Sequence, residues 1–252
     1  MTAQPIERSA MTRRFPTNHD GQSDVLSLRS ELFLIAHNET TGHPHVEKRS
    51  LTLGLAAAVL LELWFADRIR IGWRPDARNG IWQQHPGHIT VLDATPTGDP
   101  ITDTALTLLW NLGGTPRIND FVRAFTTTNL YERVRGHMIA AGTLCQTPRR
   151  RFRFFHTDAY LPTHTAYPIR IRARIRNLAT QRHTDHEQID HHGLALAALV
   201  TMLRLGAYLY PPDMSPAQLQ QRLNEITKDR SHTAIGEVTA AIRPRRTAKR
   251  NR

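Results

Sequence analysis

The sequence predicts a mainly α-helical protein: a single compact helical domain with a protruding β-hairpin and a small β-ribbon. Apolar residues recur at helical spacing through most of the chain. Two pairs of short segments alternate apolar and polar residues with the period of a strand. No linker divides the middle of the chain, and 252 residues with 40% hydrophobic content are ample for one buried core.

The first two predicted helices carry the clearest apolar pattern. Ser27 is expected to cap a helix that runs to about His37, with Leu28 and Leu32 on one face. After a short loop, Leu51–Phe65 is apolar on nearly every side. That composition is typical of a central buried helix.

A ribbon and three helices are predicted next. Arg68–Gly72 and His88–Leu92 alternate with period 2 and indicate two antiparallel strands. Thr102 is expected to cap the helix that follows them. The three helices are expected over Asp103–Leu112, from Pro116 to Phe125, and over Asn129–Ala141, where Gly142 suits a left-handed end.

The protruding hairpin is expected to pair Thr143–Thr147 with Phe152–His156, with Pro148–Arg151 at its tip. Cys145 is the single cysteine of the chain, so an intramolecular disulfide is excluded. Its apolar strand context predicts a buried, inert thiol.

The C-terminal part is predicted to be helical again. Ile171, Ile175 and Leu178 line one face of an arginine-rich helix. The remaining helices are expected over Ile189–Tyr208, over Pro216–Lys228 with Ser215 as its cap, and over Ala234–Ile242.

Both ends of the chain are polar, so the domain is expected to span residues 24–242. Residues 1–23 predict a disordered segment, and residues 243–252 predict a basic disordered tail. No signal peptide or spanning segment is visible in the sequence. We therefore expect a soluble cytoplasmic protein that is at most peripheral to the inner face of a membrane.

The chain is strongly basic, with a formal net charge of +11 and a pI near 10.9. Nearly all of its basic residues are arginines, which fits either a GC-rich genome or bidentate recognition of phosphate. The densest cluster lies on the predicted hairpin, where arginines alternate with phenylalanines: Arg149, Arg150, Arg151, Phe152, Arg153, Phe154 and Phe155.

Such a hairpin suits a bilayer interface, with rings at headgroup depth and guanidinium groups on phosphates. It equally suits stacking on nucleic-acid bases beside a phosphate track. Burial of Phe152 and Phe154 in the core is a third interpretation, because alternation alone predicts it, but Phe155 then falls on the arginine face.

The sequence favours no enzyme class. Nucleophile-elbow, Walker and dinucleotide-binding motifs are absent from it. His183–His192 contains four histidines and three carboxylates, but His186 and His191 are five residues apart and do not share a helix face. We therefore expect no catalytic residue, no cofactor and no metal site, and interpret the segment as a polar loop and helix start.

The order of segments resembles the Golgi phosphoprotein 3 family, in its bacterial branch, over about residues 25–242. The most specific pieces are Leu61–Leu63 followed by Arg68 and Ile69, the Pro96–Asp99 turn with Asp103, and Glu132 with Arg133 before Gly142. The resemblance implies a non-enzymatic helical domain. Eukaryotic members bind phosphatidylinositol 4-phosphate and act as adaptors for membrane enzymes.

The resemblance also implies a role for the hairpin in membrane contact or self-association, for which Phe152, Phe154 and Phe155 are the candidates. The family's headgroup residues fall here at Glu47, Ala56, Thr128 and Tyr131, and none of these matches. Arg49, Arg133 and Arg135 lie near those positions and are the candidates for a different anion site, together with the hairpin arginines Arg149, Arg150, Arg151 and Arg153.

The leading hypothesis is a peripheral membrane protein that binds an anionic phospholipid surface, with a membrane-protein client and self-association through the hairpin as further expectations. The alternative is a basic nucleic-acid-binding module. A metal enzyme built on His183–His192 is the third hypothesis.

Overall fold

A computed structural model describes residues 26–76, 80–151, 155–180, 190–209, 214–228 and 234–242, with the backbone alone for 149–151, 155–157 and 227–228. This part of the chain forms nine α-helices and two separate two-stranded antiparallel sheets. The prediction of a mainly helical fold with a hairpin and a ribbon is confirmed.

The elements follow the predicted order. The strands are β1 (Ile69–Pro75), β2 (Trp82–Val91), β3 (Leu144–Arg151) and β4 (Phe155–Pro162). The helices are α1 (Leu28–Ile35), α2 (Lys48–Phe65), α3 (Pro100–Leu112), α4 (Ile118–Thr126), α5 (Leu130–Ala140), α6 (Ala166–Thr180), α7 (His191–Met202), α8 (Pro216–Lys228) and α9 (Ala234–Ile242), with a short 3-10 helix (Leu205–Tyr208) after α7.

Helix α2 is the centre of the fold. Every residue from Leu55 to Leu61 is fully buried, as the apolar composition predicts. Helices α1, α4, α5, α7 and α9 pack around it, and all nine helices contribute to one apolar core. None of the described helices combines the length and apolar character needed to cross a membrane.

A buried ionic cluster ties the first three helices together. The guanidinium of Arg29, only 3% exposed, forms ion pairs with Glu62 of α2 and with Asp99 just before α3. The backbone N–H of Arg29 also donates to Glu62 Oε1 at 2.8 Å. Burial raises the pKa of Glu62, and the charge of Arg29 opposes that rise.

The same helix, α1, carries a second buried charge. Glu31 accepts hydrogen bonds from Arg174 of α6 at 2.7 Å and from His192 of α7 at 2.9 Å. Its neighbour Arg29 binds α2 and the start of α3, so two ionic contacts lead from α1 to different partners. Helix α1 is thus held by directional contacts as well as by apolar packing.

Helix α3 begins earlier than predicted, and its cap is Asp99 rather than Thr102. Asp99 Oδ1 accepts from the backbone N–H of Ile101 at 2.8 Å and of Thr102 at 3.1 Å. Pro100 takes the first helical position, where its fixed φ and missing N–H cost nothing. The prediction of a Thr102 cap was wrong because the preceding turn already supplies a carboxylate.

The apolar segment predicted as one helix over Ile189–Tyr208 is interrupted. Helix α7 ends at Met202, Arg204 adopts a left-handed conformation with φ of 58°, and the 3-10 helix follows. An α-helix does not continue through a left-handed residue. The prediction for Ala234–Ile242 is confirmed at both ends, and Ser215 caps α8 by accepting from the Gln218 N–H at 3.2 Å.

The hairpin tip differs from the prediction. Strand β3 continues through Pro148–Arg151, and Arg151 pairs with Phe155. The expected tip is therefore part of a strand, while residues 152–154 lie outside the described part of the chain. Leu144 and Ala159 are buried at the hairpin base, whereas the outward residues Cys145–Pro148 are exposed. The hairpin therefore protrudes from the body.

Replacing Arg29 tests the ionic cluster. We expect Arg29→Met to lower the free energy of unfolding by about 3–5 kcal/mol, because the substitution leaves the partly buried carboxylates of Glu62 and Asp99 without their cation. Arg222→Gln is the matched control: it removes an exposed pair with Glu225 and should cost less than about 0.5 kcal/mol. Urea denaturation measures both values, and equal costs would contradict a structural role for the buried pair.

A buried histidine makes stability depend on pH. His37 donates from Nδ1 to the Phe33 carbonyl at 2.7 Å and accepts at Nε2 from the Tyr131 hydroxyl at 2.8 Å. Burial lowers the pKa of His37 from 6.5 to about 4, and the nearby His45 and Arg135 charges add to this shift.

Below pH 6.5 the unfolded chain therefore binds a proton that the folded chain excludes, and stability is lost as the pH falls towards 4. Between pH 7 and pH 5 we expect His37 to account for a loss of about 2 kcal/mol. Urea denaturation at both pH values should show that loss in the wild type and its absence in His37→Gln. An identical pH dependence in the two proteins would refute this assignment.

Candidate functional site

An open cleft of about 740 Å³ lies where the N-terminal end of α2, one face of α4 and the last residues of α9 meet. This volume is within the range of small-molecule sites in proteins. Its apolar wall includes Leu53, Val122 and Ile242. Lys48, Arg49 and Arg123 supply three cationic groups, and the lining residues among those described include no carboxylate.

The first turn of α2 places positive charge where helix stability disfavours it. Lys48 and Arg49 follow the N-cap residue Glu47, whose side chain makes no capping hydrogen bond. No acidic residue stands in this first turn. A helix N-terminus carries a partial positive charge and unpaired N–H groups, so these cations add to a field that attracts an anion.

Two guanidinium groups line the cleft without a partner among the described residues. Arg49 on α2 and Arg123 on α4 are exposed, and no ion pair or hydrogen bond holds either side chain to another described residue. Thr52, Asn119 and Thr126 add neutral polar groups to the same lining. Guanidinium forks with neutral donors beside them suit an oxyanion such as phosphate.

Lys48 is positioned by its neighbours on α5. It forms an ion pair with Glu132, and its ammonium group lies 4.4 Å from the centre of the Tyr131 ring. The Tyr131 hydroxyl is turned inward to His37, and burial raises its pKa. Tyr131 therefore serves as a fixed aromatic platform beside the cleft.

The structure separates the three arginines predicted near this end of α2. Arg49 lines the cleft. Arg133 instead donates to the Pro100 carbonyl at 2.8 Å and to the Thr104 hydroxyl at 2.7 Å. Arg135 pairs with Glu132 on its own helix and lies 4.0 Å from the centre of the Tyr160 ring at the hairpin base.

The positions that correspond to the family's headgroup residues are occupied differently. Ala56 is fully buried in the core, and the Thr128 hydroxyl donates to the Phe125 carbonyl at 2.7 Å. Glu47 is exposed at the N-cap of α2, and Tyr131 faces His37. The cationic side chains at this end of α2 therefore come from other positions.

The aromatic and basic residues of the hairpin tip are only partly described. The backbone of Arg149, Arg150 and Arg151 belongs to β3 and that of Phe155 begins β4, without described side chains. Phe152, Arg153 and Phe154 lie outside the described residues.

Cys145 corrects one prediction. The thiol is exposed rather than buried, and its Sγ donates to the Leu161 carbonyl at 3.5 Å. Leu144, its neighbour, is the residue that points into the core. Alternation along the strand therefore places Cys145 on the outer face.

The histidine-rich segment is described only from residue 190 onward. Asp190 caps α7 by accepting from the Gly193 N–H at 2.8 Å, which confirms the expected helix start, and His192 donates to Glu31. Residues 183–189 lie outside the described part. Among the described residues no three His, Cys, Asp or Glu side chains are grouped as metal ligands.

Sequence reasoning missed Arg123 and did not weigh Lys48. Arg123 lies 74 positions after Arg49 in the chain, on a helix whose neighbours in space are set by tertiary packing. The one local signal was a pair of consecutive cations, Lys48 and Arg49, ahead of a long apolar helix.

The chain is similar to a known protein family over most of its length. A search among curated proteins gives no significant match to the chain. The family model described as Golgi phosphoprotein 3 (GPP34) matches residues 28–244. Because this match covers most of the 252 residues, the chain belongs to the Golgi phosphoprotein 3 family.

Proposed function

We propose that this protein is a non-enzymatic peripheral membrane protein, and that its α2–α4–α9 cleft binds the phosphate of an anionic phospholipid headgroup. The observation that carries the proposal is that Arg49 and Arg123 of the cleft have no ion-pair or hydrogen-bond partner among the described residues, in a lining whose described residues include no carboxylate. Family membership supports lipid binding as the general role.

The charge of the cleft is sufficient for attachment without a deep pocket. Each cationic side chain near an anionic surface contributes about 1 kcal/mol. Lys48 is already paired with Glu132, so Arg49 and Arg123 supply about 2 kcal/mol before any contribution from the rest of a +11 chain. The ligand we propose is phosphatidylinositol 4-phosphate or a lipid with a similar exposed phosphate.

The wider role we propose is attachment at the cytoplasmic face of a membrane and recruitment of a membrane-protein client there. The protruding hairpin is the proposed second contact, with the bilayer or with another copy of the chain. For Phe152, Phe154 and Phe155 this proposal rests on the sequence pattern and the family resemblance.

Removing both cleft arginines tests the site. We expect Arg49→Gln/Arg123→Gln to weaken binding to phosphatidylinositol 4-phosphate vesicles by about 30-fold, since two contacts of about 1 kcal/mol each are lost. Arg176→Gln/Arg222→Gln is the matched control, because it removes the same charge from α6 and α8. Vesicle co-sedimentation measures the affinities.

Equal weakening in the two double variants would contradict a localised site and indicate attraction by total charge. A panel of headgroups at constant surface charge separates these cases further: we expect a preference for the exposed phosphate in the wild type and its loss in the cleft variant. Tighter binding to oligonucleotides than to every vesicle, with a steep salt dependence, would favour the nucleic-acid alternative.

Serine substitution tests the hairpin. Replacing Phe152, Phe154 and Phe155 together should weaken vesicle binding by about tenfold or more, because inserted rings lose their transfer from water. Circular dichroism checks that the variant is folded. Unchanged affinity in a folded variant would exclude insertion of these rings.

A further inference from the structure

The outer half of the β1–β2 ribbon exposes large apolar side chains. Trp73 is 41% exposed and Ile81 is 62% exposed. Trp73 pairs with Gln84, and Pro75, two residues further, pairs with Trp82. Directly paired residues and residues two apart share a face, so both tryptophans lie on one face of the ribbon.

The base of this ribbon is fixed to the helical body. Glu237 of α9 accepts from the Gly87 N–H at 2.8 Å. Gly72 has φ of 77°, and a Cβ at this position would overlap the Glu237 carboxylate. The glycine therefore allows α9 to approach, and the register of the two strands shifts between Ile71 and Trp73. The outer half extends from a rigid attachment.

Two arginines lie on the same ribbon, and one of them contacts an indole ring. The guanidinium carbon of Arg70 lies 4.5 Å from the centre of the Trp82 ring. Arg74, which alternation places on the opposite face from Trp73, is exposed, and no other described residue holds its side chain by an ion pair or hydrogen bond. Asp76 accepts from Gln83 at 2.7 Å. Among the described residues the ribbon thus combines two tryptophans with two arginines.

We propose that the outer half of the ribbon, which carries Trp73, Ile81 and Trp82, is a further membrane contact, which enters the headgroup layer of an anionic bilayer. Indole rings favour the boundary between water and lipid, and an arginine beside them meets a lipid phosphate. Charge decides the choice of occupant, because Arg70, which lies over the Trp82 ring, complements an anionic surface. This inference rests on the proposed function, to which it adds a contact outside the cleft.

The ribbon and the cleft rest on the same two helices. His88 of β2 forms a bridge with Arg117 at the start of α4, while Arg123 of α4 lines the cleft. Glu237 of α9 holds the ribbon, while Ile242 of α9 lines the cleft. Helix α4 has nine residues and spans about 13 Å. The base of the ribbon and the cleft are therefore attached to the same short helix.

The test uses the full chain and vesicles of phosphatidylcholine with phosphatidylglycerol. Trp73→Ser/Ile81→Ser should lower the vesicle partition coefficient by roughly tenfold or more. The control is Trp110→Ser, which removes a tryptophan that is 69% exposed on α3 and should leave the coefficient unchanged.

A second measurement, fluorescence quenching, reports on the ribbon while the protein stays bound to the vesicle. Brominated acyl chains should quench the tryptophan fluorescence of the bound wild type, and Trp73→Phe should remove more of this quenching than Trp110→Phe does. Equal quenching in these two variants, with unchanged partition of Trp73→Ser/Ile81→Ser, would overturn the ribbon contact while leaving the cleft proposal intact.

The remaining outcomes are also decisive. Loss of binding in Trp73→Ser/Ile81→Ser but not in Arg49→Gln/Arg123→Gln would support the ribbon and overturn the cleft. Failure of the wild type to bind any vesicle would overturn both. Conversion of a dimer into a monomer by Trp73→Ser/Ile81→Ser, without an effect on vesicle binding, would assign the face to a second copy and overturn the lipid contact.

Discussion

The buried guanidinium of Arg29 is the constraint on which the arrangement of the first three helices depends. It satisfies Glu62 in the central helix and Asp99 at the start of α3, and Asp99 in turn caps α3. These residues fall within segments that carry the family resemblance. A buried charge requires its partner far more strictly than an apolar residue requires a particular neighbour, so these three residues constrain one another.

The charges of the cleft, unlike those of the buried cluster, are not all paired within the protein. Lys48 and Arg49 stand at the positive end of α2, where an acidic residue would stabilise the helix by a few tenths of a kcal/mol to about 1 kcal/mol. The buried side chains of Arg29 and Glu31 form ion pairs within the protein, whereas Arg49 and Arg123 are exposed to solvent. The N-terminal turn of α2 is less stable than it would be with an acidic residue, and a bound anion would stabilise it in the same way. Such a local conflict is expected at a binding site.

Periodicity and cap chemistry predicted the helices well, because both are local. These local patterns did not predict features that depend on strand pairing or on tertiary packing. Pro148 is a typical turn residue, and the sequence pattern therefore predicts it at the hairpin tip. Both strands of a two-stranded hairpin are edge strands, which tolerate proline. Strand β3 therefore stays paired with β4 as far as Arg151. The strand's phase was ambiguous by one residue, and Cys145 therefore fell on the outer face. Arg123 was not predicted for the cleft, because its proximity to Arg49 is created by the packing of α4 on α2.

The exposed sulfur at the hairpin base has a practical consequence. Cys145 is the single thiol of the chain, so a maleimide fluorophore attaches at one position without any mutation. Because the thiol lies beside Leu144, which is anchored in the core, the dye reports from the junction between rigid body and projecting strands. The native sequence thus provides one labelling site, and that site lies on the hairpin strand β3.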